Sequence, residues 1–151
     1  MKELLMMKGA KTLVDVATKV QAGETVLLVT DYAKTDIAQA VAAVACDRGA
    51  EVMIMSMKPR KRAGEEPPAA VAAAMKNADV VIVPVSYSIT HTHAVKNAAA
   101  AGARIIVMTD FTPEVMMHGG IEADFDQINL HCCRQSPGNC RRNSYHLSGR
   151  N

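Results

Sequence analysis

A chain of 151 residues, 49% of them hydrophobic, with no Trp, two Phe and three Tyr, has room for one domain whose core is built from Val, Ala, Ile and Met. A second full domain does not fit, no apolar run approaches the ~20 residues of a membrane span, and MKELLMMKGAK lacks the marks of a secretory signal, so a cytoplasmic location is expected. The net charge of +2 is unevenly spread: residues 131–151 hold four Arg and no acid, leaving 13 basic against 15 acidic residues before them, a mildly acidic body that argues against a nucleic-acid partner.

In chain order, residues 10–22 place Leu13, Val16, Ala17 and Val20 on one helical face, and Gly23 ends the run. TVLLVT (25–30) is a short buried strand, followed by a helix from Thr35 or Asp36 to Arg48, in which Cys46 is expected as a small buried residue. EVMIMSM (51–57) is the next strand, and its stripe of Met53, Met55 and Met57 is expected in the core. KPRKRAGEEPP (58–68) is a solvated basic loop whose prolines open a helix reaching Asn77. Val80 to Val85 is a β-branched run without polar alternation, which suits a parallel strand covered on both faces. Ala94 to Ala101 then form a helix, capped by Ser88 or Thr90 and stopped by Gly102. A fourth strand (103–108) and a short helix near Pro113–His118 follow, broken by Gly119 and Gly120. This alternation predicts an α/β fold: an open, mostly parallel sheet of about four strands with helices on both faces, Rossmann-like or flavodoxin-like, over residues 1–128.

Three strands run into hydroxyl- and acid-bearing turns, Thr30-Asp31-Tyr32, Ser86-Tyr87-Ser88 and Thr109-Asp110-Phe111. In a parallel sheet these ends share one edge, the edge where open α/β sheets bind ligands. The candidate cleft residues are therefore Thr30, Asp31, Ser86, Ser88, Thr90, His91, Thr92, Thr109 and Asp110, with free N–H groups at the following helix start favouring an anion or polar atom. TDYAKTD has no glycine cradle for phosphate, so a dinucleotide site is disfavoured. Asp31, Asp36 and Asp110 are open to two readings: receiving an amine or a metal's neighbour, or capping and ordering turns. His91 and His93 chelate a metal only from extended backbone; on a helix the rings diverge, and hydrogen-bonding or structural roles are the alternatives. No arrangement of a catalytic triad, zincin or catalytic cysteine is present, and no catalytic or metal-binding residue is assigned.

The stretches GETVLLVTD, GEEPPAAVAAAMKNADVVIVPVSYSITHTHA and AGARIIVMTDFTPEVMMHGGIEADF resemble the N-terminal half of the aminopeptidase T-like metallopeptidases, a group with leucyl aminopeptidase and 2,5-dihydroxypyridine dioxygenase relatives. GEEPP and S-x-S-x-T-H-T are the most specific parts. The resemblance implies an N-terminal domain of a hydrolase that cleaves N-terminal peptide bonds, inactive by itself. In such a protein a divalent metal, zinc, cobalt or similar, lies in a C-terminal domain, so none is expected on this chain. The partners so implied are a peptide or small-molecule substrate, the missing C-terminal domain and a second copy in a homodimer, with no nucleic acid and no membrane. The other reading, from the residues alone, is a stand-alone α/β module that binds a small molecule or protein through turn 86–92.

Residues 129–151 turn to Cys, Arg, Ser and Asn without apolar periodicity, which predicts a disordered, dispensable tail. One choice of synonymous codons for 132–144, read from the third base, encodes LQAIARELQEEF, an amphipathic helix, so a frame-shifted tail is one explanation. A zinc site on Cys132, Cys133, Cys140 and His131 or His146 lacks the paired C-x2-C spacing. Loss of a second domain also predicts an exposed apolar patch around Phe111, Val115, Met116, Met117 and Phe125, and self-association through it.

Overall fold

The computed structural model describes residues 2–118 and 144–148, with side chains for 6–117. Helix α1 (Lys2–Lys11) continues directly into a wider π-helical turn (Thr12–Ala17), then strands and helices alternate: β1 (Thr25–Asp31), α2 (Thr35–Asp47), β2 (Glu51–Met57), α3 (Ala69–Lys76), β3 (Val80–Val85), α4 (His93–Ala100), β4 (Arg104–Thr109), α5 (Pro113–His118) and β5 (Ser144–Ser148). The strands form one sheet in the order β2-β1-β3-β4-β5, every pair parallel, so the expected open parallel α/β fold is what the chain adopts.

Alternation along the central strands divides the core in two. Val26, Leu28, Val80, Ile82, Ile106 and Met108 meet α1, α2 and α5 on one face. Leu27, Val29, Val81, Val83, Ile105 and Val107 meet α3 and α4 on the other. Both faces of β1 and β3 are thus dry, which is why their sequences show β-branched runs and no polar alternation. Burial of each such side chain contributes ~1.5–3 kcal/mol.

Several expectations need correction. The first helix occupies 2–17 rather than 10–22: Met6 and Ala10 extend the stripe of Leu13 and Val14 back by two turns. It ends where the Thr18 N–H bonds the Leu13 carbonyl five residues back at 2.9 Å and Lys19 turns to φ 49°. The methionine stripe of β2 is only partly core, since Met57 is buried, Met55 is half-buried and Met53 is 45% exposed. Ile54 on the opposite face is 42% exposed, because β2 is the outer strand, with β1 its one neighbour among the described residues. Cys46 is exposed, lying off the α2 stripe of Val41, Val44 and Ala45.

The apolar patch expected after β4 is closed. Phe111 and Met116 are buried, Val115 and Met117 pack against the core, and α5 lies on α1. Phe125 and the tail cysteines lie outside the described residues, as does the tail from 129 apart from Ser144–Ser148, whose backbone runs parallel to β4 with Val107 opposite His146. No helix among the described residues is long and apolar enough to cross a membrane.

Candidate functional site at the ends of β1 and β3

After β1 the chain moves outward to β2, then returns past β1 to β3, so the strand order reverses between β1 and β3. Helix α2 leaves β1 toward one face and α4 leaves β3 toward the other. Loops departing to opposite faces open a crevice at the carboxyl ends of the strands, the usual ligand position in such sheets.

Asp31 spans the base of this crevice. Its side chain is buried, and one carboxylate oxygen accepts the Ser86 N–H at 2.7 Å across the two strand ends. The other oxygen accepts the Ala33 N–H at 3.1 Å, closing an Asx turn that leads into α2. The Asp31 carbonyl receives the Lys34 N–H at 3.1 Å and the Thr35 hydroxyl at 3.3 Å. Asp31 is therefore a structural tie between the two turns. Asp36 does not cap α2: the N-cap position is Lys34, without a side-chain cap, and Asp36 lies exposed in the first turn.

Lys34 provides a second tie. Its ammonium donates to the Phe111 carbonyl at 2.8 Å and to Asp110 at 3.2 Å, joining the turns after β1 and β4. Asp110, at φ 54°, keeps its side chain 71% exposed, and its N–H bonds the Val85 carbonyl at 2.9 Å. Two side chains thus fix three strand ends.

On the β3 side, Ser88 and Thr90 are half-buried with their hydroxyls 2.8 Å apart, and the Thr90 N–H also points to the Ser88 hydroxyl at 3.3 Å. The α4 cap is neither of these. Thr92, buried, accepts from the Val95 N–H at 3.4 Å and donates to the Ile89 carbonyl at 2.6 Å. The expected free N–H groups at this helix start are taken: Glu66 accepts from His93 N–H at 2.5 Å and from Ala94 N–H at 3.2 Å. A carboxylate of the chain itself occupies the place where an anion would sit. The loop carrying Glu66 is further pinned by the Gly64 N–H, which bonds the Ser88 carbonyl at 2.8 Å.

Of the residues singled out in the sequence, Ser86, Ser88, Thr90 and His91 gather on the β3 turn, His91 exposed and the others half-buried. Thr30 is buried beneath the crevice, its hydroxyl on the Asp31 carbonyl at 3.1 Å, and Thr109 is half-buried at the end of β4. His93 opens α4 and is exposed, and no group of three metal-ligating side chains occurs among the described residues. Sequence reasoning missed Lys34 and Glu66, whose partners lie 76 and 27 residues away. It also passed over Tyr32 and Tyr87, 68% and 46% exposed beside Asp31 and Ser86.

The opposite edge of the sheet is closed. Asp79 accepts the Thr25 N–H at 2.8 Å, and Arg104 bonds the Thr18 carbonyl at 3.0 Å and Glu24 at 2.5 Å. Burial works to raise the Glu24 pKa, but the Arg104 guanidinium and the Gln21 N–H outweigh it and hold the carboxyl below its ordinary value. Asp15 is likewise lowered, chiefly by its hydrogen bonds to Arg48 at 2.7 and 2.8 Å.

No family model matches the chain, and no curated protein matches it. Among solved structures it is similar to 2,5-dihydroxypyridine dioxygenase from Pseudomonas putida KT2440, at 16% identity and TM-score 0.58 over 76% of this chain and 36% of that one. It is also similar to a fatty acid ABC transporter substrate-binding protein from Thermomonospora curvata, at 13% identity and TM-score 0.47 over 91% and 40%. A third is an alcohol dehydrogenase superfamily protein from Novosphingobium aromaticivorans, at 16% and 0.43 over 96% and 40%. The chain spans little more than a third of the first of these. None of the three is an aminopeptidase, which overturns the aminopeptidase assignment drawn from GEEPP and S-x-S-x-T-H-T, although the dioxygenase is of a kind named among that group's relatives. At such identities the likeness shows the fold alone.

Proposed function

We propose that this chain is a binding module that takes a small polar molecule in the crevice between loops 31–34 and 86–92. The observation that carries this reading is the Asp31 tie, which holds the two strand ends together at the point where the strand order reverses. Above it stand the paired hydroxyls of Ser88 and Thr90 and the exposed rings of Tyr32 and Tyr87, groups suited to hydrogen-bonding and stacking on a compact polar ligand. Because Glu66 fills the start of α4, the ligand is not a phosphate seated on that helix. The reading places the protein in the cytoplasm, in accord with the exposed free thiol of Cys46; recovery of the protein from a membrane or secreted fraction contradicts that placement.

Amide NMR titration with a panel of sugars, amino acids and small carboxylates tests the site. One class is expected to shift the amides of 32–34 and 86–91, with the shifts lost in a Ser88→Ala, Thr90→Val double variant. Shifts confined to other surfaces, or none with any class, contradict the reading.

A second reading draws on the extent of the dioxygenase match: the same edge is one wall of a site completed by a further domain of a longer protein. Genomic sequence beyond codon 128 separates the two. A shifted frame continuing into another domain supports the second reading, and a clean stop without one supports the first.

A further inference from the structure

We infer that the crevice takes a small organic carboxylate, whose negative end is met by Lys58, Lys61 and Arg62 on the loop after β2; this rests on the crevice being the binding site. The loop is tied to the crevice at both ends. It leaves β2 at Met57, which stands opposite Asp31 in the sheet, and its Gly64 N–H bonds the Ser88 carbonyl on the β3 turn at 2.8 Å. Because β1 lies between β2 and β3, the stretch from Lys58 to Ala63 crosses the end of β1, a width of two strand spacings or about 10 Å. Beyond it Pro67 is buried and α3 begins on the face of the sheet that α4 shares. The loop therefore borders the crevice on the side of α3 and α4, and α2, with Asp36 in its first turn, borders it on the other.

Four bases, Lys58, Arg60, Lys61 and Arg62, share this loop with two acids, Glu65 and Glu66. Both acids are engaged within the chain. Glu65 accepts the Lys61 N–H at 2.9 Å and lies 3.7 Å from the Arg60 guanidinium, and Glu66 caps α4. Arg60 is engaged too, donating to the Lys58 carbonyl at 2.8 and 3.2 Å, so its role is to fold the loop. The side chains of Lys58, Lys61 and Arg62 are exposed and have no hydrogen-bond or ion-pair partner among the described residues. The acids of the strand ends do not cancel them: Asp31 is satisfied by the Ser86 and Ala33 N–H groups, and Asp110 pairs with Lys34. Three cations without partners thus stand on a folded loop at one wall of the crevice, on a body that is otherwise acidic. A cleft lined by one sign of charge concentrates ligands of the other. The backbone favours a carboxylate over a phosphate, because the Lys61 and Gly64 N–H groups that a phosphate cradle would use are taken by Glu65 and Ser88, leaving side-chain charge as what the loop offers.

Amide NMR titration of the full chain with two matched pairs, benzoate against benzamide and succinate against succinamide, tests this. In at least one pair the carboxylate is expected to shift the amides of 58–64 together with those of 32–34 and 86–91, and to bind at least about tenfold more tightly than its amide. Its affinity should fall as sodium chloride is raised. A triple variant, Lys58→Gln, Lys61→Gln and Arg62→Gln, should bind it about tenfold more weakly at an unchanged thermal midpoint. Lys76→Gln, which removes an exposed base at the far end of α3, should leave the affinity as it was. The matched pairs and the salt series need no substitution and decide the matter if the triple variant unfolds. The inference is overturned, and the crevice reading kept, if an amide or an uncharged sugar moves 32–34 and 86–91 as readily as the carboxylates, or if carboxylate affinity survives in the folded triple variant. Shifts confined to 58–64 overturn it, as does a short oligonucleotide that binds there more tightly and leaves the crevice amides unmoved. If no probe, charged or neutral, moves the crevice amides, the crevice reading falls and this inference falls with it.

Discussion

The chain twice ends a strand with the dipeptide Thr-Asp, at Thr30-Asp31 and at Thr109-Asp110, and gives the two aspartates opposite fates. Asp31 is buried and accepts two backbone N–H groups, one of them from the neighbouring strand's turn. Asp110 adopts a left-handed backbone, keeps its carboxylate largely in solvent and, among the described residues, pairs with the ammonium of Lys34. The difference is positional. β1 ends where the strand order reverses and needs a group to hold its diverging loops, whereas β4 passes through a short turn directly into α5. The same residue type is thus a strut in one place and a surface charge in the other.

The largest effect is expected at Asp31. Hydrogen bonds to a charged group are worth ~1.5–3 kcal/mol each, so Asp31→Ala should lower stability by about 3 kcal/mol in denaturant unfolding. A loss below about 1 kcal/mol would place Asp31 with Asp110. Glu66→Ala comes next: removing the carboxylate from the start of α4 is expected to cost about 1 kcal/mol and to raise amide exchange at His93 and Ala94. Unaltered exchange there would show that water serves equally well.

A smaller effect should appear at low pH, at the closed edge of the sheet and on its flank. Glu24 and Asp15 titrate below their unfolded values when folded, so their contribution is complete above the ordinary carboxylate range and drains away as pH falls through it toward the folded values. The thermal midpoint should hold steady near neutrality and drop below about pH 4.5, and less steeply in Arg104→Ala. An equally steep drop in that variant would remove Glu24 from the account. Least of all is expected from Asp110→Gly. Glycine relieves the left-handed backbone by up to ~1 kcal/mol, while the exposed ion pair with Lys34 gives back ~0–1 kcal/mol. Unfolding should show a change within about 1 kcal/mol, and a larger loss would make this turn a second strut.

The sheet was legible because burial on two faces leaves an unmistakable trace: Val80 to Val85 admits no polar residue, and Gly49 and Gly102 mark the helix ends before β2 and β4. The edge position of β2 was not, since Val52, Met53, Ile54 and Met55 read the same whether a neighbouring strand follows or not. The β3 turn was recognisable by its hydroxyls, but the jobs within it were not. Whether Ser88, Thr90 or Thr92 caps α4 depends on where Ile89 buries and turns the chain, and the contribution of Glu66 depends on a loop folding back over 27 residues. GEEPP and the S-x-S-x-T-H-T turn have local physical roles, helix capping and loop docking, and those roles belong to this architecture without implying an aminopeptidase.

The central claim is that one carboxylate, Asp31, joins the two loops that form the crevice. Amide hydrogen exchange at Ser86 and Ala33, compared between the wild-type chain and Asp31→Ala, tests it most directly. Both amides should be protected in the wild type, and both should lose protection together in the variant while Asp110 and Phe111 stay unchanged. Rapid exchange at Ser86 in the wild-type protein, or protection that survives the substitution, would show that the loops are held by something other than Asp31.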